Sequence, residues 1–529
     1  MDINICITGA AGDGVKEAGE LCAKLFSELG YYAFVYQEYQ SRIRGGHNAS
    51  IVRVSDKPVH SHRKYYDLLV CLEDYVYRIH EPYVRGDIIY DTKFSCEKGG
   101  IGIPMTEIVK EANEPMIFRN AASLGAIAAY YSIDFGVLED VFVRTFGEKA
   151  KDDVVISKAA YDHFLEHHQA KMSVERVGER REVVAGSKAI AEGLIAAGLE
   201  YYYAYPMTPA SPILHYIIKK RRDIIAYQPE SEIAAVNMAI GSAFAGKRSA
   251  TGTSGGGFAL MSESIGMAGM AEVPLLIIEA QRVGPSTGMA TYHAQDDLNF
   301  VLYPSHGEFP LVVASPYTIE DAYKLSAELM NLAWKYQTPA ILLTDKHLVE
   351  SLQTAELHGA EIEETEIVRS SDGVMKRYEL TESGVSRYAV PPAIAKFNSN
   401  EHTEYGITTD SAEVRKAMHD KRVRKEKLIL EDVRGKGYVE YFKGKEAVVT
   451  WGSTFGALYE VVEELGYRLI VIRYLRPLVL PELEKAKVVE CNRTGQLAGL
   501  LESRGVRVER VLKWDGRPFT PEELREVLG

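Results

Sequence analysis

The chain has 529 residues, 46% of them hydrophobic and 26% charged, with a formal net charge of −13. That length predicts about two to four domains, each able to bury a full core. The acidic balance argues against nucleic-acid or anionic-membrane binding, since both need an excess of positive charge.

Residues 1–172 read as an α/β domain. Ile3–Thr8 is a short buried strand, followed by Gly9, Gly12 and Gly14 in a Gly-x-x-Gly-x-Gly turn and by an amphipathic helix over Val15–Leu29. Glycines permit a tight turn, and a helix N-terminus offers free N–H groups to an anion. The spacing is not the Gly-x-Gly-x-x-Gly of dinucleotide sites, so a structural turn is expected and a nicotinamide dehydrogenase is disfavoured. No basic leader with a cleavage site precedes the strand, and no apolar run of about 18 residues predicts a membrane span, so a cytoplasmic chain is expected. Tyr31–Glu38, Ala49–Val54, Leu68–Leu72 and Gly86–Tyr90 are strand-like, and Ala121–Tyr131 is an apolar helix. Arg42, Arg44 and His47 surround a Gly-Gly turn that suits an anion, a neighbouring chain, or a plain basic loop. His163 and His167 sit four apart on a strongly polar helix, where a solvated face is expected rather than a metal site. A linker is placed near 170–182. The cysteines (Cys6, Cys22, Cys71, Cys96 and Cys491) form no Cys-x-x-Cys pair and have neither zinc nor iron–sulfur spacing, so reduced, mostly packed thiols are expected.

A second α/β domain is predicted over residues 183–350. Its helices are Gly186–Gly198, Ser231–Ala245 and Glu263–Met270. Its strands are Tyr201–Tyr205, Ser249–Thr253, Leu311–Ala314, Ala340–Thr344 and Pro274–Ala280, the last read as a fully apolar central parallel strand. Sites in doubly wound sheets lie past the carboxyl ends of the strands. Pro206–Thr208, Ser254–Gly257 and Gln281–Thr287 all fall there. Residues 351–435 form a charged connecting or docking segment, whose basic helix Ser411–Lys427 is expected to be solvated or to act as a chain-docking arm. A third, small α/β domain covers residues 436–529, with strands at Glu446–Trp451, Leu469–Tyr474 and Lys487–Glu490, and a helix from the Gly452–Gly456 turn to near Gly466.

Taken together, these motifs resemble the fused gamma–alpha (large) subunit of a 2-oxoacid:ferredoxin oxidoreductase. The gamma part is carried by Gly9–Gly14, Arg44–His47 and Val52–Asp56. The alpha part is carried by Tyr205–Pro209, Thr253–Phe258, Gln281–Gly288 and Ser305–Glu308. A transketolase C-terminal-like domain is carried by Glu490–Asn492 and Gly495–Leu497. The order of these motifs runs through about 450 residues and is specific as a set, although each alone is weak. Asp13 stands where the family usually has glutamine, Met207 where isoleucine is common, and Gly256 where proline is usual. The implied fold is α/β with three doubly wound-type domains, one of them a thiamine-diphosphate-binding fold of the pyrimidine side.

The resemblance implies coenzyme A-dependent oxidative decarboxylation of a 2-oxoacid, with electrons passed to ferredoxin. Thiamine cofactors need a carboxylic acid at the aminopyrimidine ring nitrogen, and a carboxyl kept from water holds its proton more readily. Glu230 and Glu232 are the two candidates. Glu232 is chosen because the acid of such domains lies nine residues before a helix glycine, here Gly241. Arg282 is the natural partner of the substrate carboxylate, since guanidinium offers paired donors, and the resemblance places Thr208, Thr287 and Thr291 in the same substrate pocket. Pro206, Ser254 and Gly255 are expected to line the pyrimidine side. The chain lacks a diphosphate–magnesium motif and cluster cysteines, so a separate beta subunit is expected to supply Mg2+, diphosphate binding and the [4Fe-4S] cluster, in a dimer of heterodimers. Ferredoxin is expected to dock mainly on that partner. The segment at Arg282–Thr287 looks more like the 2-oxoglutarate or broad-range branch than the pyruvate-only one. A pyruvate- or indolepyruvate-specific relative and a non-catalytic scaffold of the same fold are the alternatives.

Overall fold

A computed structural model describes residues 1–41, 45–220 and 223–529, so Arg42 and Arg44 of the basic loop lie outside the described residues. The chain forms two compact units. The first comprises Met1–Ala185, Glu350–Glu356 and Thr520–Gly529, and the second Gly186–Val349 and Leu357–Phe519. Among the described residues, no helix is long and apolar enough to cross a membrane.

The first unit is built on an eight-stranded mixed sheet. Asp2–Ala11, Tyr66–Cys71, Val84–Asp91 and Ile101–Ile103 run parallel in that order. Gly45–Ser55 pairs antiparallel with both Asp2–Ala11 and Tyr32–Tyr39. The helix Val15–Glu28 buries Leu21, Leu25 and Phe26. The glycine turn before it is closed by the chain itself. Asp13 Oδ2 accepts from Ala10 N at 2.8 Å, and Oδ1 accepts from Arg119 Nη2 at 2.6 Å. Arg119 is buried and also faces Glu73 and Asp91. At Gly14, φ is 70°, and an added Cβ would meet the Asn120 amide at 2.6 Å. An anion seated in this turn would meet the Asp13 carboxylate, so the motif acts here as a structural turn. His163 and His167 stack at 4.2 Å on the helix Lys151–His167. Two late segments also join this unit. Leu352–Thr354 inserts between Tyr32–Tyr39 and Val183–Ala185, and Pro521–Leu528 is a helix begun by a capping box of Thr520 and Glu523. A strand of three residues is too short to show an alternating pattern, so its place could not be read from the sequence.

The second unit holds a seven-stranded sheet in the order Tyr474–Arg476, Val312–Ala314, Pro339–Asp345, Leu275–Gln281, Ser249–Thr253, Tyr201–Tyr203 and Ile225–Tyr227. All neighbours pair in parallel except Tyr474–Arg476, which adds antiparallel at one edge. Residues Leu275–Gln281 and Pro339–Asp345 are buried throughout, as central parallel strands must be when helices cover both faces. The first of them is not fully apolar, because Glu279 lies within it at 0% exposure. A five-stranded sheet follows, with Tyr467–Ile472, Glu446–Trp451, Lys485–Glu490 and Arg507–Leu512 parallel and Tyr438–Tyr441 antiparallel at the edge. The helix after Gly452 is shorter than expected, Phe455–Tyr459.

The basic helix is neither solvated nor a free arm. It spans Ala412–Val433, capped by Ser411, and buries Lys421, Arg422 and Lys425. Lys421 Nζ reaches both oxygens of Glu272, at 2.7 and 2.8 Å, and Lys425 Nζ reaches Glu272 at 2.5 Å. Arg422 pairs with Glu401 at 2.9 Å. Arg377, fully buried against the rings of Tyr378, Tyr388 and Phe397, donates to the Glu272 carbonyl at 2.6 Å. These cations hold Glu272 well below the usual carboxylate range against the upward push of burial. Sequence shows charge but not its buried partner 149 residues away.

Removing one partner from a buried ionic cluster strands the other charges. Glu272→Gln is expected to destabilise the second unit by about 3–5 kcal/mol, read as a lower denaturant midpoint. An unchanged midpoint would show that the cluster contributes no net stability.

Candidate functional site

Three connections leave the carboxyl ends of adjacent parallel strands, after Tyr203, Thr253 and Gln281. The middle one turns at Ser254 into the helix Gly255–Leu260. Beside it lies the start of the helix Glu232–Phe244, whose N-cap Ser231 accepts from Ala234 N. Glu232 is 4% exposed, whereas Glu230 is exposed. Among the described residues, Glu232 Oε1 has no hydrogen-bond partner, and neither does the buried Ser254 hydroxyl. Gly257 makes room for this carboxyl: a Cβ there would lie 2.4 Å from Glu232 Oε1 and 2.2 Å from Thr253 Oγ1. The result is an enclosed acid with an open oxygen, bordered by Thr253. Thr253 and Gly257 belong to the Thr253–Phe258 motif, but nothing in its local pattern marks either for this position.

The other two connections meet through Arg282, whose Nη1 donates to the Thr208 carbonyl at 2.6 Å. Arg282 and Thr208 are half-buried, and Pro206 and Gly255 are likewise only partly exposed. The loop after Arg282 folds back on itself, with Met289 N donating to Val283 O at 3.0 Å. This leaves Thr287 exposed near the tip and Thr291 buried on the return.

Two acids absent from the sequence reading stand near Arg282. Glu279 is fully buried, and among the described residues neither of its oxygens has a hydrogen-bond partner. Burial raises it well above the usual carboxylate range; Asp297 and Asp345 add repulsion, and Arg282 opposes them. Asp297 is pushed up to about 6 by burial and by Asp296, again opposed by Arg282. A single acid inside an otherwise apolar strand run was the signal for Glu279.

The C-terminal sheet braces this region. Gln295 Nε2 donates to Trp451 O at 3.0 Å, and its Oε1 accepts from Thr454 Oγ1 and Cys491 N, both at 2.9 Å. Asp345 accepts from the Ser453 hydroxyl at 2.8 Å. Glu490 accepts from Leu497 N and Ala498 N, and Asn492 donates to Gln295 O at 3.0 Å. Burial lifts the Cys491 thiol to about 12, leaving it an inert packed group.

The fold agrees with comparisons to known proteins. A family model described as "Pyruvate flavodoxin/ferredoxin oxidoreductase, thiamine diP-bdg" matches residues 192–421, and one described as "Pyruvate ferredoxin/flavodoxin oxidoreductase" matches residues 4–162. The chain is 32% identical to the 2-oxoacid:ferredoxin oxidoreductase subunit alpha of a Sulfolobus species, covering 100% of this chain and 96% of the relative. It is also 32% identical to the subunit of that name from Saccharolobus solfataricus, covering 99% and 97%. Among solved structures, it resembles a 2-oxoglutarate:ferredoxin oxidoreductase from Magnetococcus marinus, which has 2-oxoglutarate, coenzyme A and succinyl-CoA bound. The TM-score is 0.88 and the identity 28%, with all of both chains covered. The chain belongs to the 2-oxoacid:ferredoxin oxidoreductase alpha-subunit family, whose members are oxidoreductases.

A methyl group at residue 257 cannot be fitted without moving Thr253 or Glu232. Displacing a positioned group by about 1 Å can lower rate about 100-fold. Gly257→Ala is expected to lose activity to that extent while keeping the parent's circular dichroism spectrum and melting temperature. Parental activity would mean that the Glu232 carboxyl does not need its present seat.

Proposed function

We propose that this chain provides the aminopyrimidine side of a thiamine diphosphate site and binds the 2-oxoacid, with 2-oxoglutarate or a broad range of 2-oxoacids as substrate. The observation that carries this reading is the buried Glu232 carboxyl with its open Oε1. The residues present fit half of such a cofactor: an enclosed acid for a ring nitrogen, seated in the space that Gly257 leaves, and a buried Ser254 hydroxyl that has no partner among the described residues. When bound, thiamine diphosphate supplies the electron sink for decarboxylation.

This chain's own residues do the rest. Glu232 would hold the aminopyrimidine through a hydrogen bond at its ring nitrogen. Arg282 receives the 2-oxoacid carboxylate, and Thr208, Thr287 and Thr291 donate hydrogen bonds to its ketone and carboxylate. Pro206, Ser254 and Gly255 would border the aminopyrimidine. Each turnover converts a 2-oxoacid and coenzyme A to an acyl-CoA and CO2, releasing two electrons and a proton; the electrons pass to ferredoxin. A beta subunit that brings Mg2+, the diphosphate contacts and a [4Fe-4S] cluster completes the site. Support for such a partner comes from apolar side chains that stand exposed beside the site. Ile225 and Tyr227 on the edge strand and Ile233 on the Glu232–Phe244 helix are each more than half exposed.

The test is coenzyme A-dependent dye reduction by the co-purified complex with thiamine diphosphate, using pyruvate, 2-oxobutyrate, 2-oxoglutarate and branched-chain 2-oxoacids. Activity on 2-oxoglutarate or on several acids is expected, and strict pyruvate preference would overturn the substrate assignment. Glu232→Gln is expected to lower kcat by about 100-fold or more. Full activity in that variant would remove Glu232 from its role.

A further inference from the structure

The loop that carries Thr287 and Thr291 is closed on itself. Met289 N donates to Val283 O at 3.0 Å, Tyr292 N to Met289 O at 3.0 Å, and Val283 N to Tyr292 O at 3.3 Å. Val283 and Met289 also form an antiparallel bridge. Ser286 holds φ at 57°, a left-handed conformation that a non-glycine residue keeps only when its surroundings demand it. These bonds fix the shape of the loop. They do not fix where the closed loop sits against the rest of the unit.

The seat comes from the C-terminal sheet. After its strand Arg507–Leu512, a connection at 513–517 brings Gly516 against the loop. His293 N, two residues after Thr291, donates to the Gly516 carbonyl at 2.9 Å. Gly516 is buried with φ at 86°, and a Cβ added to it would meet Tyr292 Cβ at 3.3 Å, Met289 Cε at 3.5 Å and Val283 Cγ2 at 3.5 Å. These are the three residues whose backbone bonds close the loop. The next residue, Arg517, is exposed and places its guanidinium 5.5 Å from the centre of the Tyr292 ring. On the other side, the His293 ring is buried, with Nδ1 3.5 Å from Asp345 Oδ1 at the end of the strand Pro339–Asp345. The base of the loop is thus held between a central strand and the 513–517 connection, while Thr287 stays exposed near the tip.

We infer that the 513–517 connection, through the positioning residues Gly516 and Arg517, seats the 283–292 loop and so sets the affinity for the 2-oxoacid. The inference rests on the substrate roles of Thr287 and Thr291 in the proposed function. Side chains that must reach one small substrate together need their loop held to about 0.5 Å. Gly516 contributes a backbone acceptor and the absence of a side chain. Any atom added there presses on the residues that close the loop, and moves Thr287, Thr291 and the neighbouring Arg282 as a set. Glu232 and Gly257 belong to other connections, so the cofactor side stays in place. The signature is a change in KM without a matching change in kcat or in thiamine diphosphate affinity.

The experiment measures KM, kcat and thiamine diphosphate affinity in the assembled enzyme with its partner, using the 2-oxoacid that the parent turns over fastest. Gly516→Ala adds a methyl group and strains the backbone. Gly516→Asn adds a larger side chain in a conformation that asparagine tolerates better. In both, KM is expected to rise by about tenfold, the worth of one or two hydrogen bonds to the substrate, with kcat and cofactor affinity within about threefold of the parent. The rise in the asparagine variant is expected to be at least as large as in the alanine variant. Arg517→Ala, which alters an exposed side chain and leaves the backbone alone, is expected to raise KM by about threefold, the worth of one exposed cation–π contact. A parental KM in Gly516→Asn overturns the inference, and a larger effect in Gly516→Ala also overturns it, since that is the mark of backbone strain alone. Losses of kcat and cofactor affinity in step with KM overturn it as a general structural defect. Should neither glycine variant assemble, Arg517→Ala decides, and a parental KM there overturns the inference. No turnover of any 2-oxoacid by the parent overturns the functional reading itself, and this inference with it.

Discussion

The chemistry proposed for the second unit depends on one constraint: the Glu232 carboxyl is enclosed, and its Oε1 has no hydrogen-bond partner among the described residues. Burying a polar oxygen with no partner costs about 1–3 kcal/mol, and folds spend little on such positions unless something else meets them. Glu232 is kept in that condition by several devices. The N-cap at Ser231 starts its helix at the right residue. Gly257 leaves the space that a side chain would occupy. Parallel pairing of Ser249–Thr253 with Tyr201–Tyr203 and Leu275–Gln281 brings three connections to the same end of the sheet. Each device is weak by itself, and the enclosed acid needs all of them.

Buried charge in this unit appears in two distinct arrangements. Around Glu272 the cations are in excess and hydrogen-bonded, with two lysines on the carboxylate and an arginine on the backbone carbonyl. This arrangement docks the Ala412–Val433 helix and offers no open atom on Glu272. Around Arg282 the acids outnumber the single cation, and Glu279 has no hydrogen bond among the described residues. Excess acid near one arginine is costly for stability alone, and it is the arrangement expected where proton state and ligand charge are to influence each other.

Much of this was legible in the sequence because it rests on local rules. Ser249–Thr253 and Glu446–Trp451 coincide with the predicted strands, and of the two acids between which the family resemblance chooses, Glu232 is buried and Glu230 exposed. Strand ends placed Thr208 and Arg282 near each other, and their 2.6 Å contact follows. What the sequence concealed was long-range. The basic helix looked solvated because the carboxylate that neutralises Lys421 is 149 positions away. Asp297 carries no local signal, because its neighbours in space come from the 255, 281 and 496 regions. The three-residue strand Leu352–Thr354 had no pattern to read.

Gln295 bears on how the protein is made. Its buried side chain is satisfied by Trp451 and Cys491, which follow it by 156 and 196 positions. While the chain is emerging from the ribosome, the segment carrying Asp296 and Asp297 has only its upstream contacts with Gln281 and Phe258, and it gains those with Trp451, Cys491 and Gln496 once the C-terminal sheet has been synthesised and docked. A truncated or stalled product would therefore present the upstream strands without a finished pocket. The protein's own synthesis thus sets the order in which the parts of the site appear, with the acid at 232 early and the wall at 297 late.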